Sequence, residues 1–510
     1  MSDGKMSCPA CGSDWIVKNG FTTNIGSVKQ SFICKSCGKR TTKPRKPVFE
    51  VPMRESVPQV KRYIITTAQN ATPVHKPLWK SILNCADHYD AELIVISGRY
   101  RNPTSLWTKN DEGDAWYDEA VLPYLVTGSI NLGNHLTILG NVKVQWAASN
   151  PLASMEVLTK DKSSIIGHGR LALRSVATPQ NKNAKLMYTT GACTTPNYTD
   201  TKQGEIARFH HSYGGLIVEV AEDRFHVRQL VAMKNGSFCD INMEFTPEGS
   251  YQSMRRPLSL TMGDTHWAKI APKVYDATFK HMLPELKPHH LIWHDLLDQY
   301  ARNHHHRGNW VKDYQKHHLD QDDMQKEVHE TLDALRDETP DDCLSVVVSS
   351  NHDRALNRWM LESDFRKDPK NAGFFITATK QLIDYMNNND FKSIDPFILY
   401  GRDYLKDHKN IKFLTPDESF VLSGVEHCMH GDIGPNGSRG STKNLSRIGV
   451  KSTKGHNHTA EIIDGCYSVG KSTGKLEYES GPSSHSNTHC LQYYNGKRTL
   501  ITIIDGKWRL

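Results

Sequence analysis

Long hydrophobic runs are missing from this sequence. None approaches the ~20 residues that a membrane-spanning helix needs, and the first residues lack the pattern of a secretory signal peptide. Apolar residues make up 37% of the 510 residues and charged residues 23%, which is typical of a globular chain long enough for two or more domains. We therefore expect a protein that has no membrane partner and stays in the cytoplasm.

A regular disulfide framework is also missing. Seven of the 11 cysteines are scattered without framework spacing, which fits reduced thiols better than disulfides. The other four form two C-x-x-C pairs, Cys8 with Cys11 and Cys34 with Cys37. Four thiolates are enough to close a tetrahedral Zn²⁺ site. A closed site of this kind is structural, because it holds together a module too small to fold on its own core.

Excess positive charge is missing from most of the chain. Residues 1–62 hold twelve Lys and Arg against four Asp and Glu, whereas the other 448 residues hold 51 against 52. This asymmetry predicts a polyanionic partner for the N-terminal segment. The residues that we expect to contact nucleic-acid phosphates are Lys18, Lys39, Arg40, Lys43, Arg45 and Lys46.

The cysteine-rich segment resembles the zinc ribbon of insertion-sequence transposases. The similarity extends to residues 16–20, IVKNG, and residues 34–40, CKSCGKR. The resemblance implies contact with nucleic acid, although many zinc ribbons bind proteins instead, and both partners stay open here. Residues 1–48 are accordingly interpreted as a zinc ribbon with a stiff basic linker.

Short apolar runs that end in metal-binding side chains recur through the second half of the chain. In residues 344–354, LSVVVSSNHDR, three valines predict a buried strand of an α/β sheet. Ligands of such sheets gather beyond the carboxyl ends of the strands, where the polar triplet NHD falls. The same pattern leads into GDTH at 263–266, HDLLD at 294–298, MHGD at 429–432 and GHNH at 455–458.

These five motifs resemble, in type and in order, those of the calcineurin-like metallophosphoesterases, including nucleases of the Mre-eleven/SbcD type. The resemblance implies an α/β fold over residues 256–510, a metallophosphoesterase α-β-β-α sandwich. His294 and Ser350 stand where the family has glycines. Neither change removes a ligand, but we expect the side chain of His294 to narrow the site.

The resemblance also implies a pair of divalent metal ions. Asp295 would bridge them, because a shared carboxylate holds two ions ~3.5–4 Å apart. The mixture of imidazole, carboxylate and amide ligands favours Mn²⁺, with Fe or Zn²⁺ as alternatives, over Mg²⁺. One ion would take Asp264, His266 and His458, and the other would take Asn351, His430 and His456.

Two further residues are implied to be catalytic. In the family, the position of His352 is the general acid for the leaving oxygen or stabilises the transition state, which suits an imidazole. We expect Asp353 to orient His352 through its other ring nitrogen. Asp298 is expected to support Asp295 through hydrogen bonds. The histidine-rich cluster at 302–307, RNHHHR, is either a solvated loop or a phosphate contact.

The remaining segments predict structure rather than chemistry. Residues 49–255 read as a middle α/β domain of unknown role, with a βαβ unit made of strands 63–67 and 93–97 and a helix at 77–89, followed by short strands at 136–139, 214–220 and 225–231. Met324, Val328, Leu332 and Leu335 predict an amphipathic helix. Asn495-Gly496 between two apolar runs predicts a C-terminal hairpin.

The resemblance covers phosphatases, nucleotide phosphodiesterases and nucleases, and the basic ribbon favours a long polyanionic substrate. We therefore expect a two-metal DNA nuclease that forms a homo-oligomer. The arrangement also resembles the pre-early DNA-transfer proteins of T5-type phages, which implies degradation of host DNA in the host cytoplasm. Two alternatives stay open: a phosphatase or nucleotide phosphodiesterase with a protein-binding ribbon, and a DNA-binding protein whose active site is retired.

Overall fold

The computed structural model describes residues 8–24, 27–42, 62–107, 116–179 and 182–510. They divide into two compact units, within residues 1–55 and 56–510. Both helices and several β-sheets are present, so the chain has a mixed α/β fold. Within the described ranges, no helix is both long and apolar enough to cross a membrane.

The N-terminal unit is a small antiparallel sheet. Its three strands follow one another in the chain and pair in the same order. The strands are Ile16–Asn24, Ser27–Cys34 and Arg40–Thr41. Of the basic residues predicted to contact nucleic acid, Lys43, Arg45 and Lys46 lie outside the described residues.

A five-stranded sheet in the larger unit contains the predicted βαβ unit. Arg62–Gln69 and Glu92–Gly98 pair in parallel, and the helix Lys76–Tyr89 connects them. This prediction and the strands predicted at 214–220 and 225–231 are confirmed. In spatial order the strands are Phe225–Val231, Gly214–Val220, Arg62–Gln69, Glu92–Gly98 and Leu125–Val126.

A six-stranded sheet organises the motif-bearing half of the chain. Four neighbouring strands run parallel, so that their carboxyl ends meet at one edge. The predicted C-terminal hairpin forms its antiparallel side. In spatial order the strands are Ile411–Phe413, Leu344–Val347, His290–Trp293, Ser259–Thr261, Thr488–Gln492 and Arg498–Thr502.

Helices cover one face of the six-stranded sheet. Leu291 and Trp293 point into this core, whereas Ile292 belongs to a cluster on the other face, because side chains alternate along a strand. The amphipathic helix Met324–Asp337 packs here with all four predicted apolar residues buried. The other helices of this half are Pro272–Tyr275, continuing through a wider turn at Asp276–Met282 into Leu283–Leu286, then Trp310–His318, Ala355–Glu362, Ala372–Asn388, Pro396–Tyr404 and Thr442–Leu445.

A ten-stranded sheet joins the two halves of the larger unit. Leu173–Val176 pairs with Glu461–Ile463, so strands from both sides of the predicted boundary at 255/256 share one sheet. In spatial order the strands are Val421–Leu422, Val425–Glu426, Lys451–Lys454, Cys466–Ser468, Glu461–Ile463, Leu173–Val176, Lys185–Thr189, Ser163–Ile166, Leu136–Leu139 and Ser129–Asn131.

The sheets are held together by a common core and by one buried amide. Apolar residues of all three large sheets, among them Ile65, Ile462 and Leu500, form a single buried cluster. The side-chain oxygen of Gln229 accepts hydrogen bonds from the Leu500 N–H at 2.7 Å and from the Thr499 hydroxyl at 3.0 Å. The smaller elements are the helix Lys202–Phe209 and a three-stranded sheet of Phe238–Asp240, Met243–Thr246 and Gly249–Gln252.

Candidate metal centre

The five predicted motifs converge between two sheets. GDTH, HDLLD and SNHD follow Ser259–Thr261, His290–Trp293 and Leu344–Val347, which end at the same edge of the six-stranded sheet. The other two motifs follow Val425–Glu426 and Lys451–Lys454, a parallel pair of the ten-stranded sheet. The structure therefore brings together side chains that are almost two hundred positions apart.

The first group of candidate ligands contains Asp264, His266, Asp295 and His458. The Nε2 atoms of His266 and His458 lie 3.2 Å apart. His458 Nε2 lies 3.3 Å from Asp264 Oδ2, and His266 Nε2 lies 3.5 Å from Asp295 Oδ2. All four residues are buried. Two carboxylates and two imidazoles thus point at one another in the interior.

The second group contains Asn351, His430 and His456, again with Asp295. The amide oxygen of Asn351 lies 3.0 Å from His430 Nε2 and 3.0 Å from His456 Nδ1. His430 Nε2 lies 3.3 Å from Asp295 Oδ2. The same oxygen of Asp295 therefore faces both groups, and all seven residues predicted as ligands are brought together.

The charge state of the two central acids reflects their burial. Burial and the neighbouring charge of Asp295 raise the pKa of Asp264 to about 7. Burial alone would raise the pKa of Asp295 as well, but His430 and His352 outweigh it and hold that pKa well below its usual value. Of the two acids, Asp295 is therefore the one that is held in its charged form.

The residues present fit divalent cations. Neither carboxylate oxygen of Asp264 has a hydrogen-bond partner within the described part of the chain, although the side chain is fully buried. Buried acceptors without partners are costly, and a cation would satisfy them. A Cβ atom at Gly455 would lie 2.1 Å from Asp264 Oδ1, so glycine leaves room for this carboxylate. Mixed nitrogen and oxygen donors suit Mn²⁺, Fe and Zn²⁺.

Four candidate ligands adopt the left-handed backbone conformation. The φ angles are 43° at His266, 44° at Asp295, 75° at His456 and 55° at His458. Such conformations cost about 1–3 kcal/mol each and concentrate at functional sites. The motifs did not reveal this feature, since no residue type in them requires positive φ.

His352 lies beside the first group of ligands. Its ring packs edge-to-face on His266, with ring centroids 4.4 Å apart, and its backbone N–H donates to Asp295 Oδ1 at 3.4 Å. The ring Nδ1 lies 3.2 Å from the carbonyl oxygen of Asp298, so Nδ1 is the donor and Nε2 carries no proton in the neutral ring. Burial lowers the pKa of His352.

Two expected supporting contacts are wrong. Asp353 does not orient His352: its Oδ1 accepts from the Leu297 N–H at 2.9 Å and its Oδ2 from the Ser350 hydroxyl at 2.8 Å. The backbone N–H of Asp353 also donates to the Ser350 hydroxyl at 3.2 Å, so Asp353 is held by its own turn and by the Leu297 backbone. Asp298 supports His266 rather than Asp295, with its Oδ1 3.0 Å from His266 Nδ1.

His294 does not line the cavity beside the metal centre. It is fully buried, with its Nδ1 3.4 Å from His430 Nδ1, so it packs behind a candidate ligand. The ring lies against the ligand group, with its centroid 5.5 Å from that of His430, and the expectation that it narrows the site stays a prediction.

A cavity of about 640 Å³ opens onto the centre. Asp295, His352, His456 and His458 lie along it. Asn457 of the GHNH motif also lines it, and its other walls come from segments outside the five motifs: Asn303, His305, His306, Arg439, Glu477, Tyr478 and His485. Of the predicted histidine-rich cluster, His305 and His306 reach the cavity, whereas Arg302 pairs with Asp368 and Arg307 with Glu362.

The N-terminal unit contains a separate candidate zinc site. The thiols of Cys8 and Cys37 lie 3.7 Å apart, those of Cys11 and Cys34 lie 3.6 Å apart, and all four cluster within 4.8 Å. In each C-x-x-C turn, a glycine N–H donates at 2.9 Å to the carbonyl of the first cysteine. The four cysteines are free thiols and form a possible zinc-binding site.

Three of the basic residues predicted to contact nucleic acid lie on the surface of this unit. Lys18, Lys39 and Arg40 are all exposed. Their exposure leaves them accessible to a polyanion, but contact with nucleic acid stays a prediction.

Comparisons with known proteins give one clear relationship. No protein-family model matches the chain. The chain is 33% identical over 471 residues to a protein named Protein A1 from Escherichia phage T5, and the alignment covers 89% of this chain and 83% of the phage protein.

Proposed function

The chain belongs to the family of Protein A1 of Escherichia phage T5, and we propose that it is a metal-dependent DNA nuclease with the α-β-β-α sandwich of the calcineurin-like metallophosphoesterases. The observation that carries this proposal is the position of Asp295. One carboxylate oxygen faces His266 at 3.5 Å and His430 at 3.3 Å, between two groups of ligands. A shared carboxylate is what a two-metal phosphodiesterase needs.

Each group would hold one divalent cation, with Mn²⁺ favoured over Fe and Zn²⁺. When bound, the cations would neutralise charge on the phosphodiester and lower the pKa of the attacking water. Asp264 and Asp295 provide the negative charge that holds them, and the histidines make the set selective against Mg²⁺. The first ion would be held by Asp264, His266, Asp295 and His458, and the second by Asp295, Asn351, His430 and His456.

His352 would supply the proton for the leaving oxygen. The carbonyl of Asp298 fixes the proton of the neutral ring on Nδ1, so protonation adds the transferable proton at Nε2. An imidazole whose pKa is lowered by burial releases that proton readily. The contact with His266 holds the ring beside the ligands.

DNA is proposed as the substrate because of the N-terminal unit. A zinc ribbon of the transposase type with exposed Lys18, Lys39 and Arg40 suits a long polyanion better than a small ester. Its partner would be DNA, and the relationship with a phage protein supports a role in degrading host DNA in the host cytoplasm.

A second candidate is a phosphatase or nucleotide phosphodiesterase whose ribbon binds protein. The observation in its favour is that several basic side chains near the cavity already form ion pairs with acidic residues. An example is Lys312, which pairs with Glu477 at 2.7 Å. A cavity with few unpaired cations suits a small substrate.

The two candidates separate in one set of assays. Linear, circular and single-stranded DNA and bis-p-nitrophenyl phosphate would each be incubated with the protein in EDTA, Mg²⁺ and Mn²⁺, with Asp295→Ala as the control. The nuclease proposal expects Mn²⁺-dependent loss of DNA that Asp295→Ala abolishes. Hydrolysis of the small ester with intact DNA would favour the second candidate, and no hydrolysis of either would contradict both.

A further inference from the structure

The cavity presents one exposed aromatic ring beside the candidate metal centre. Tyr478 lines the cavity, and its side chain is 61% exposed. Its ring centroid lies 6.4 Å from that of His458. An exposed aromatic ring this close to a polar, charged centre is not explained by packing, because it has little buried area.

The segment around Tyr478 is held on both sides. The carboxylate of Glu477 accepts from the Tyr300 hydroxyl at 3.0 Å and pairs with Lys312 Nζ at 2.7 Å. The carboxylate of Glu479 pairs with Lys471 and lies 2.9 Å from His485 Nδ1. Because both neighbours are anchored, the ring of Tyr478 is presented at low entropic cost, as a binding surface requires.

The basic side chains near the cavity offer little charge for binding duplex DNA. Proteins that bind duplex DNA mainly through charge neutralise several phosphates with unpaired Lys and Arg. Here Lys312, Lys471 and Arg354 are each paired with an acid. Arg439 lines the cavity, is exposed, and has no carboxylate partner within the described ranges. One such cation fits one phosphate next to the centre.

The helix that is tied to this segment carries two more exposed aromatic rings. Trp310 and Tyr314 lie one turn apart on the helix Trp310–His318, and their side chains are 76% and 61% exposed. Lys312 of the same helix makes the ion pair with Glu477. Aromatic rings next to a groove bind single-stranded nucleic acid by stacking, whatever the base.

We propose that Tyr478 stacks on the base next to the scissile phosphate, and that this nucleotide is unpaired. The preferred substrate is then single-stranded or frayed DNA, with Arg439 contacting a neighbouring phosphate and with no base preference. This inference rests on the proposed nuclease function and defines its substrate class.

The test measures binding without turnover. A fluorescein-labelled single-stranded 12-mer and its blunt duplex would be titrated with the full, metal-loaded chain carrying His352→Asn, which prevents turnover, and fluorescence anisotropy would give each affinity. We expect this parent chain to bind the single strand more tightly. Tyr478→Ala should weaken that binding about tenfold, within the range for loss of one base stack, and Tyr478→Phe should keep it. Tyr251→Ala removes another exposed tyrosine, 51% exposed and outside the cavity, as a matched control.

Several outcomes would overturn the inference: tighter binding of the duplex, an unchanged affinity of Tyr478→Ala, or an equal loss in Tyr478→Phe. Mn²⁺-dependent loss of DNA that Asp295→Ala abolishes distinguishes this failure from failure of the proposed function, because hydrolysis of the small ester alone would also fit the second candidate. If Tyr478→Ala does not fold, a single strand that carries the fluorescent base 2-aminopurine tests the stacking without that variant. Its fluorescence should be quenched by the parent chain through stacking, and unquenched fluorescence in the complex would contradict the proposal.

Discussion

The carboxylate oxygen Oδ1 of Asp298 lies 3.0 Å from Nδ1 of His266, and the backbone carbonyl of the same Asp298 lies 3.2 Å from Nδ1 of His352. One residue thus orients a candidate ligand through its side chain and a candidate general acid through its backbone. The same carboxylate oxygen lies 4.0 Å from His352 Nδ1, beyond hydrogen-bond distance, so replacing the side chain tests mainly the contact with His266.

Asp298→Asn should weaken metal binding while His352 stays in place. Loss of the carboxylate that orients a ligating imidazole typically lowers metal affinity by about 10–100-fold. The measurement is Mn²⁺ affinity by calorimetry, with Glu362→Gln, a change at an exposed ion pair, as control. An unchanged Mn²⁺ affinity would remove Asp298 from the centre.

His352→Asn and Asp295→Ala should separate chemistry from metal binding. We expect His352→Asn to keep its metal and lose turnover by about 10²–10⁴-fold, the usual contribution of a general acid. Asp295→Ala should lose metal as well, because both groups of ligands share that carboxylate. Metal analysis and single-turnover rates of the purified variants give the answer, and full activity in His352→Asn would refute its assignment.

Gly455→Ala should damage the centre through sterics alone. The added Cβ would lie 2.1 Å from Asp264 Oδ1 and 3.0 Å from the His294 side chain, so the carboxylate must move. We expect loss of bound metal and a lower melting temperature. Gly373→Ala is the matched control, because its Cβ meets nothing within 4 Å and alanine is favoured in the helix Ala372–Asn388. Equal metal content in the two variants would contradict the packing at Asp264.

Acid should destabilise the larger unit through buried neutral histidines. Burial lowers the pKa of His168 to about 4 and that of His211 to about 4. Because the folded-state pKa of each histidine lies below the unfolded value of about 6.5, the two neutral rings contribute their full stabilisation above pH 6.5. The free energy of unfolding then decreases as the pH falls from 6.5 toward 4, by about 1.4 kcal/mol per pH unit for each histidine.

The check is urea unfolding in EDTA at pH 7, 6 and 5. His211→Gln should reduce the number of protons taken up on unfolding by about one, and with it the slope of the unfolding free energy against pH. The reason is that the His211 ring makes its hydrogen bonds with Tyr198 and the Thr194 carbonyl only in the neutral form. If the unfolding free energy of the variant has the same slope against pH as that of the wild type, His211 does not remain neutral in the native protein.

Removing the zinc ligands should separate DNA binding from hydrolysis. Cys8→Ser opens the four-thiol cluster, and a ribbon of this kind depends on its metal to fold. We expect one zinc fewer per chain and weaker, less salt-dependent DNA binding, with hydrolysis of bis-p-nitrophenyl phosphate retained. If DNA binding in this variant equals that of the wild type, the ribbon is not the DNA contact.

Much of the fold could be predicted because the deciding signals are local. Valines at 346–348 bounded by serines, Met324 and Val328 at helical spacing, and Asn495-Gly496 between apolar runs each specify one element. The pairing of Leu173–Val176 with Glu461–Ile463 could not be predicted, because it joins segments almost three hundred residues apart.

The residues of the candidate site likewise include some that could be predicted from the sequence and some that could not. Residues within the five motifs, such as Asp264 and His458, could be identified from type and order. Tyr478 could not, since it lies twenty residues beyond the last motif in a segment without a distinctive pattern. Asp298 and Asp353 were assigned the wrong contacts because a sequence does not show which way a side chain turns after a strand ends.

The central claim is that Asp295 joins two metal sites, and the most direct test is electron paramagnetic resonance of the protein loaded with Mn²⁺. The account predicts two Mn²⁺ per chain, in addition to the zinc, with the spectrum of an exchange-coupled pair that Asp295→Ala removes. A spectrum of isolated Mn²⁺, or one Mn²⁺ per chain in the wild type, would contradict it.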